Sequence, residues 1–274
     1  MSLPLRPGAE TILATRTPET GIGVHLNAMR LPRPVVIAAV AVAVVAGSAF
    51  TVETVSASRI EADLSGRIDP GNTGAGPPSV TIGGTPGSRW SGPDTLVSAT
   101  IRVEGVDRPG LGPVAVEAVA TDVSVPEDPP GPLTAGEVTV SVQITGASLG
   151  PALGMRDVLV GAADDPSLAG GTETRARVTG TLEGSDVRVS AFVDLVVDDL
   201  GARLVPVAPA TGPAGFPDGD GELALRRTAL TLEPDVLPLG VAVETLSITG
   251  GTITAAGEGG PGTAPLDGLA RTDL

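Results

Sequence analysis

Stretches of this chain alternate apolar and polar side chains with a period of two, which is the pattern of β-strands that bury one face. The two clearest stretches lie at residues 97–103 and 138–144. Their apolar members are Val97, Ala99, Ile101 and Val103 in the first and Val138, Val140, Val142 and Ile144 in the second. Antiparallel strands of this kind must cover their apolar faces, so the sheet must curl or pair with another sheet.

Two further pairs of predicted strands are each joined by a glycine-containing turn. They are residues 175–182 and 187–195 around Glu183-Gly184-Ser185, and residues 241–248 and 252–255 around Gly250-Gly251. The β-rich domain predicted from all these strands spans residues 53–256. From residue 257 to residue 274, a run of Gly, Pro and polar residues predicts a disordered tail.

Helical spacing of apolar residues occurs before the strands and predicts a helix over residues 52–68. Short helices are predicted at 148–159 and 223–232 between the strands. The expected fold class is therefore α+β and mostly β, with a helix packed on a curled antiparallel sheet.

The core of this domain must be built from aliphatic side chains, because the chain has only four aromatic residues and no Cys. Without Cys, neither a disulfide nor a thiolate metal site is available, and we expect no cofactor. A sheet lined by aliphatic residues that curls incompletely encloses a groove suited to acyl chains. Candidate lining residues, each of which has plain core packing as its alternative role, are Ile101, Val103, Val140, Val142, Ile144, Val189 and Val193.

An uncharged segment near the N-terminus bears on the compartment of the protein. Residues 34–52 contain no charged side chain, and Val35–Phe50 is strongly apolar. Its length lies between that of a signal-peptide core and that of a spanning helix of about 20 residues. Arg30 and Arg33 precede the segment and Glu53 follows it, which orients the N-terminus toward the cytoplasm.

We therefore predict a transmembrane helix or signal anchor at 35–52, after a poorly ordered cytoplasmic segment at 1–34. The following domain would be extracytoplasmic and held at the cell membrane by a single pass. Two alternatives stay open: cleavage near Gly47-Ser48-Ala49 would release a secreted domain, and a soluble fold would bury the segment. Met29 is a second candidate start.

The net charge of −15 is unevenly distributed along the chain. Residues 1–50 carry four Arg and two Glu, a net +2, so the remainder carries −17. A surface this acidic repels nucleic acid, which proteins bind by neutralising phosphates with Lys and Arg. We expect no nucleic-acid partner.

The sequence Gly146-Ala147-Ser148-Leu149-Gly150 matches the GxSxG nucleophile elbow, which needs a His to accept the serine proton. The only His is His25, which precedes the apolar segment and so falls on its cytoplasmic side. We interpret the motif as a strand-to-helix connection. Lys, Tyr and Cys are absent as well, which leaves few groups for acid–base catalysis near neutral pH, and we expect no enzyme.

Two acidic clusters are interpreted as turns. Asp218, Asp220 and Glu222 offer oxygen ligands to a weakly held cation but lack the spacing of an EF-hand loop. Asp194, Asp198 and Asp199 include paired carboxylates of the kind used in glycoside hydrolysis, but Phe192 is the only aromatic residue nearby. No metal site is predicted.

Three arginines, Arg175, Arg177 and Arg188, fall on the polar faces of two adjacent predicted strands. A guanidinium binds phosphate through two parallel hydrogen bonds, so these residues are candidates for contact with a phospholipid headgroup. The alternative is pairing across the strands with Glu173, Glu183 or Asp186.

The order of these features resembles the LmeA-like phospholipid-binding proteins of actinobacterial cell envelopes. The resemblance covers about residues 52–259 and is carried by VTIGG at Val80–Gly84, RVTGTLEG at Arg177–Gly184 and LPLGVAVETLSITGGTITAAGEG at Leu237–Gly259. After VTIGG this chain has Thr85-Pro86-Gly87-Ser88-Arg89-Trp90 where the family has a Pro-Phe-Leu stretch. Trp90 is expected to supply the bulk at that point of the lipid site.

The resemblance implies a fold of the tubular-lipid-binding type and a phospholipid ligand. The function expected is that of a non-enzymatic, membrane-anchored, extracytoplasmic protein that holds acyl chains in an aliphatic groove. The alternative is a structural or protein-interaction β domain of the envelope with a fully packed core. The identity of the lipid and of any protein partner cannot be read from the sequence.

Overall fold

The strands and helices of the domain are seen in a computed structural model, which describes residues 57–68, 76–84, 89–92, 94–126, 131–163, 174–210 and 220–270. All of these residues belong to one compact unit, Ser48–Leu274. The predicted cytoplasmic segment at 1–34 and the predicted anchor at 35–52 lie outside the described residues. None of the helices in the described part of the chain is long and apolar enough to cross a membrane.

A first, seven-stranded sheet is antiparallel throughout and curls into a half-barrel. Its strands are β1 (Ser79–Ile82), β2 (Trp90–Gly92), β3 (Thr95–Val106), β4 (Val114–Ser124), β5 (Glu137–Ile144), β11 (Thr245–Thr249) and β12 (Thr252–Gly259). They are ordered β1-β3-β4-β5-β12-β11, and β2 pairs with β3. A helix, α1, precedes them at 57–67.

A second, five-stranded sheet is inserted in the sequence between β5 and β11. It consists of β6 (Met155–Ala162), β7 (Thr174–Leu182), β8 (Arg188–Asp198), β9 (Gly201–Pro209) and β10 (Leu230–Thr231), ordered β10-β9-β8-β7-β6. Helix α2 (Gly146–Leu153) connects β5 to β6, and α3 (Asp220–Thr228) packs on β8 and β9. The two sheets meet at β11 and β12. The expected mostly-β, antiparallel fold with packed helices is confirmed.

The register of the first sheet places its predicted apolar residues on one face. Val103 lies opposite Val116, which lies opposite Val142, which lies opposite Ala255. A second row runs through Val80, Ile101, Ala118, Val140 and Gly257. The side chains in these rows are buried, so the period-two pattern identified the concave face of the half-barrel correctly.

The alternation fails at Val97, which was expected to be buried. Val97 is 38% exposed, whereas Leu96 beside it is fully buried and lies opposite Val123. On the partner strand, Asp122 has a left-handed backbone conformation with φ of 49°. Both strands therefore change phase together at this point. In β3, the buried residue before the change is Leu96, and the buried residues after it are the odd-numbered Ala99, Ile101 and Val103. A local backbone irregularity of this kind leaves no signal in the alternation itself.

Both short helices were predicted too long at their C-terminal ends. The first ends at Leu153, because Gly154 adopts φ of 60° and donates its N–H to the carbonyls of Gly150 and Pro151. Residues 155–159 are therefore strand and not helix. The second helix ends at Thr228, and residues 230–231 pair with β9.

The prediction of a disordered tail from residue 257 is wrong for residues 257–270. Residues 257–259 complete β12, and a 3₁₀ turn follows at Leu266–Gly268. Leu266, Leu269 and Ala270 are buried, and the Leu266 N–H donates to the Leu133 carbonyl over 2.7 Å. The apolar residues of this segment pack against distant parts of the chain, which local composition cannot reveal. Residues 271–274 lie outside the described residues.

Three stretches outside the strands contribute apolar side chains to the cluster that buries the concave face, and we call them the covering segments: residues 57–68, which contain α1, residues 236–243 and residues 264–270. Their buried apolar side chains belong to the same cluster as the concave face. These are Leu64 and Ile68 of the first stretch, Val236, Leu237, Leu239 and Val241 of the second, and Leu266, Leu269 and Ala270 of the third. Residues 241–244, which were predicted as strand, lie instead against Gly257, and Glu244 N–H donates to the Ala256 carbonyl.

We expect Gly257→Ala to lower the free energy of unfolding by about 2 kcal/mol or more, because a Cβ at this position would overlap the Ala242 carbonyl oxygen. The matched control is Gly260→Ala, whose Cβ would have no neighbour within 4 Å and which should change stability by less than about 0.5 kcal/mol. Urea unfolding measures both. Equal effects would show that residues 241–244 do not pack tightly on β12.

Candidate functional site

The concave face of the first sheet brings together five of the predicted lining residues, Ile101, Val103, Val140, Val142 and Ile144. All five are at most 2% exposed and belong to the same apolar cluster as the covering segments. The face is built from aliphatic side chains, alanine and glycine, and it carries no charge where the rows of valine cross β3, β4 and β5. An uncharged aliphatic surface of this kind suits acyl chains and offers nothing to a polar ligand.

The remaining two aliphatic candidates lie on the second sheet. Val189 is opposite Gly180, and Val193 is opposite Ala176. Both are fully buried and join the same apolar cluster as the concave face. The structure therefore places all seven aliphatic candidates in one cluster, but on two different sheets.

Trp90 is separate from that cluster. It lies in the short strand β2, opposite Leu96, and its side chain is 39% exposed. In this structure the indole is a surface feature near one margin of the first sheet and not part of the buried aliphatic face.

The three candidate headgroup arginines lie on the outer face of the second sheet. Arg175 is opposite Asp194 and Arg177 is opposite Phe192, whereas the alternate pair, Ala176 and Val193, faces the apolar cluster. Arg188 is opposite Thr181 on the same outer face. The sheet itself thus separates the arginines from the aliphatic candidates. A lipid whose chains lie in the cluster would not place its phosphate on these residues.

The arginines differ in their contacts. Arg175 forms a bidentate ion pair, with Nε 2.7 Å from Asp194 Oδ1 and Nη2 3.1 Å from Oδ2. Arg177 donates from Nε to Ser190 Oγ over 3.0 Å, and Arg188 is exposed. Cross-strand pairing with Asp194 therefore accounts for Arg175.

A buried arginine that was not predicted from the sequence forms a hydrogen bond to the covering segment at residues 264–270. Arg108 follows β3 and donates from Nη2 to the Leu269 carbonyl over 2.9 Å. Burial lowers the pKa of Arg108, and the charge of Asp235 acts in the opposite direction. The guanidinium remains charged near neutral pH, so it holds the C-terminal turn through a charge-assisted hydrogen bond. Arg108 lies within the sequence Asp107-Arg108-Pro109-Gly110, which indicates a turn but gives no sign that the arginine is buried or bonded to the C-terminal segment.

A partly open cleft of about 480 Å³ lies where three separate stretches of the chain meet. These are the β3–β4 turn, the end of α2 and the residues around β10. Its lining residues are Pro109, Gly110, Leu111, Pro151, Ala152, Leu230, Thr231, Leu232 and Glu233. The lining is largely apolar and includes one carboxylate, and it contains none of the predicted site residues.

The GxSxG motif forms the predicted strand-to-helix connection. Ser148 is buried, and its hydroxyl donates to the Pro113 carbonyl over 2.5 Å and lies 3.0 Å from the hydroxyl of the N-cap, Thr145. A side chain at Gly146 would overlap the Val158 carbonyl, and one at Gly150 would lie 2.8 Å from the Met155 carbonyl. The two glycines therefore allow α2 to pack closely on β6.

The acidic clusters form ordinary surface contacts. Asp198 forms an ion pair with Arg203 and accepts from the Leu200 N–H over 2.9 Å at the β8–β9 turn. Glu222 lies 3.4 Å from Arg226 on the next turn of α3. Within the described residues, no group of three or more His, Cys, Asp or Glu is arranged to hold a metal ion. Asp218 lies outside the described residues.

We expect a double-mutant cycle on Arg175→Gln and Asp194→Asn to give a coupling free energy of about 1 kcal/mol, since this pair is bidentate and half-buried. The control pair, Arg226→Gln and Glu222→Gln on the exposed surface of α3, should give about 0.3–0.5 kcal/mol. Urea unfolding of the single and double variants measures both couplings. No coupling between Arg175 and Asp194 would mean that Arg175 is available to another ligand.

Comparison with known proteins identifies the chain. Residues 49–258, most of its length, match the sequence model of the LmeA-like phospholipid-binding family. Comparisons with curated proteins and with solved structures give no match. The match spans the half-barrel sheet, the inserted second sheet and the first two covering segments, and it ends just before the third. The chain belongs to the LmeA-like phospholipid-binding family.

Proposed function

We propose that this protein holds the acyl chains of a phospholipid against the concave face of its first sheet. The observation that carries the proposal is the construction of that face. The face is a continuous aliphatic surface, and the chain belongs to a phospholipid-binding family. The short covering segments outside the strands help to bury it. A face closed in this way can exchange one apolar partner for another without breaking the sheet.

The covering segments would have to move aside when lipid enters, because the candidate lining residues are packed against them. Among the residues that the structure describes, few hydrogen bonds hold the third covering segment. They include Leu266 N–H to Leu133 O at 2.7 Å, Ala264 N–H to Leu239 O at 3.4 Å, and the Arg108 contact with Leu269. Each contributes about 1 kcal/mol, or somewhat more for the charged donor.

The free energy of burying the covering side chains can be compared with the free energy of burying the methylenes of an acyl chain. Burying a leucine side chain contributes about 2 kcal/mol, and burying one methylene about 0.8 kcal/mol. The four covering leucines, Leu237, Leu239, Leu266 and Leu269, therefore contribute about as much as ten methylenes. A phospholipid with two acyl chains has more methylenes than that, so its chains are long enough to cover the surface that these four leucines would leave.

The proposal includes a location outside the cytoplasm and at the membrane. It is supported by the uncharged segment Val35–Phe50, preceded by arginines and followed by Glu53. A retained segment would tether the domain beside a source of lipid, whereas cleavage would give a secreted carrier. The net charge of −15 further disfavours nucleic acid as a partner.

We also propose that the protein is not an enzyme. The Ser148 hydroxyl, the one nucleophile suggested by a motif, is buried and donates to a backbone carbonyl. The chain has no Lys, Tyr or Cys, and its single His precedes the apolar segment. These features leave binding as the role that the aliphatic face supports best.

One observation favours a second function. The candidate lining residues are closed off in this structure, as they would be in a structural or protein-interaction domain with a permanent core. The two functions differ in whether the covering segments move away from the concave face. A substitution in a covering segment can therefore distinguish lipid binding from a permanent core.

We expect Leu269→Ala to speed the uptake of phospholipid by the purified full chain, because it shortens a covering side chain that competes with acyl chains. The control is Leu195→Ala, which removes an equally buried leucine from the second sheet, opposite Leu204. Both variants should lose about 2–5 kcal/mol of stability, but only the first should take up lipid faster.

Uptake is followed by mass spectrometry of lipid extracted after incubation with phospholipid micelles. Absence of lipid from the unmodified chain and from both variants would contradict the lipid function and favour the permanent core. Equal acceleration in both variants would mean that general loosening, and not the covering segment, controls uptake.

A further inference from the structure

The cleft between the β3–β4 turn, the end of α2 and the residues around β10 reaches the apolar cluster that buries the concave face. Leu111 and Leu230 line the cleft and pack, partly buried, against that cluster. Leu232 also lines the cleft, and it is itself a buried member of the cluster. The apolar lining of this surface opening is therefore continuous with the aliphatic interior. Its volume of about 480 Å³ falls within the range of small-molecule sites.

Hydrogen bonds to neighbouring elements fix the walls of the cleft. Gly112 N–H donates to the Ser148 carbonyl over 2.8 Å, which ties the β3–β4 turn to α2. Leu232 N–H donates to the Ala202 carbonyl over 2.9 Å, which ties the residues after β10 to β9. The opening is therefore present while the covering segments are packed in place, and a ligand does not have to create it.

The walls of the cleft continue directly into contacts with two covering segments. Glu233 lines the cleft, and its carbonyl accepts the N–H of Val236, the first residue of the second covering segment, over 3.0 Å. On the other wall, Pro109 follows Arg108, whose guanidinium donates to the Leu269 carbonyl of the third covering segment. A ligand in the cleft would therefore lie beside the points where both segments are attached.

The lining suits a hydrocarbon chain and not an anionic headgroup. Proline, leucine, alanine and glycine make up most of it, and its polar side chains are those of Thr231 and Glu233. Among the described residues that line the cleft there is no arginine, and the Glu233 carboxylate repels a phosphate. Apolar walls with few polar groups are typical of sites that bury an apolar ligand.

We propose that an acyl chain of a phospholipid enters the aliphatic cluster through this cleft, an inference that rests on the lipid function proposed above. The acyl chain first covers Leu111 and Leu230 and then reaches Leu232 inside the cluster. Each methylene that leaves water in the cleft favours the bound state before either covering segment moves. The phosphate remains outside, so in the bound state the acyl chain still occupies the cleft.

The first test narrows the cleft. Ala152 lines it from α2, whereas Ala147 is an exposed residue of the same helix outside the lining. We expect Ala152→Trp to slow the uptake of diheptanoyl phosphatidylcholine by the purified full-length protein about tenfold, because the indole occupies part of the cleft. Ala147→Trp adds the same side chain to the same helix and should leave uptake unchanged. Mass spectrometry of lipid extracted after increasing incubation times measures both rates.

A second pair of variants reports occupancy of the cleft without adding bulk to it. The protein has no Cys, so Thr231→Cys in the lining and Ala229→Cys, exposed and outside the lining, each provide a unique thiol. Loading with the same lipid should make the thiol of Thr231→Cys react with a maleimide about tenfold more slowly, because a bound acyl chain excludes the reagent. The reaction of Ala229→Cys should not change.

Two results would overturn the entry route and leave the lipid function intact. One is uptake by a folded Ala152→Trp variant at the rate of the unmodified protein, or equal slowing by Ala147→Trp. The other is equal reactivity of the Thr231→Cys thiol with and without bound lipid. Absence of uptake by the unmodified protein would contradict the lipid function itself, and the entry route with it.

Discussion

The structure depends on one requirement, which is that the aliphatic concave face of the first sheet be covered. Rows of Val, Ile and Ala cross β3, β4, β5 and β12, and within the described residues the second sheet approaches this half-barrel mainly near β11 and β12. The covering segments, which are α1 with Ile68 and two stretches whose regular structure is limited to short 3₁₀ turns, belong to the apolar cluster that buries this face. Close packing at Gly257 and the buried Arg108 are consequences of that requirement, since both hold a covering segment in place.

The same requirement links the fold to lipid binding. In the described part of the chain, the covering segments make few backbone hydrogen bonds to the sheet, whereas the strands are paired along most of their length. Leu239, in the Pro-Leu-Gly turn, is buried with φ of 63°, a conformation that costs a leucine about 1–2 kcal/mol and that the surrounding packing maintains. A segment held by burial against an unfavourable local conformation is suited to leave when another apolar group takes its place.

Much of the sheet could be predicted from alternation, because one buried face imposes a period of two wherever the backbone is regular. This accounts for the concave residues of β5 and for the buried face of β8. Prediction failed at a local backbone irregularity and where contacts between distant residues decide the outcome. The positive φ of Asp122 reverses the phase near Val97, the contact of Leu266 with Leu133 orders the supposed tail, and Arg108 pairs with a carbonyl 161 residues away. The arginine candidates were placed on the correct strands, but only the register shows that their face points away from the aliphatic cluster.

The central claim is that acyl chains lie on the concave face, and photo-crosslinking tests it most directly. A phospholipid carrying a diazirine in its acyl chain is incubated with the full chain and irradiated, and the labelled peptides are mapped by mass spectrometry. Labels are expected on β3, β4, β5 and β12 and on the covering segments at 236–243 and 264–270. Labels confined to the outer face of the second sheet, or to the segment Val35–Phe50, would contradict it.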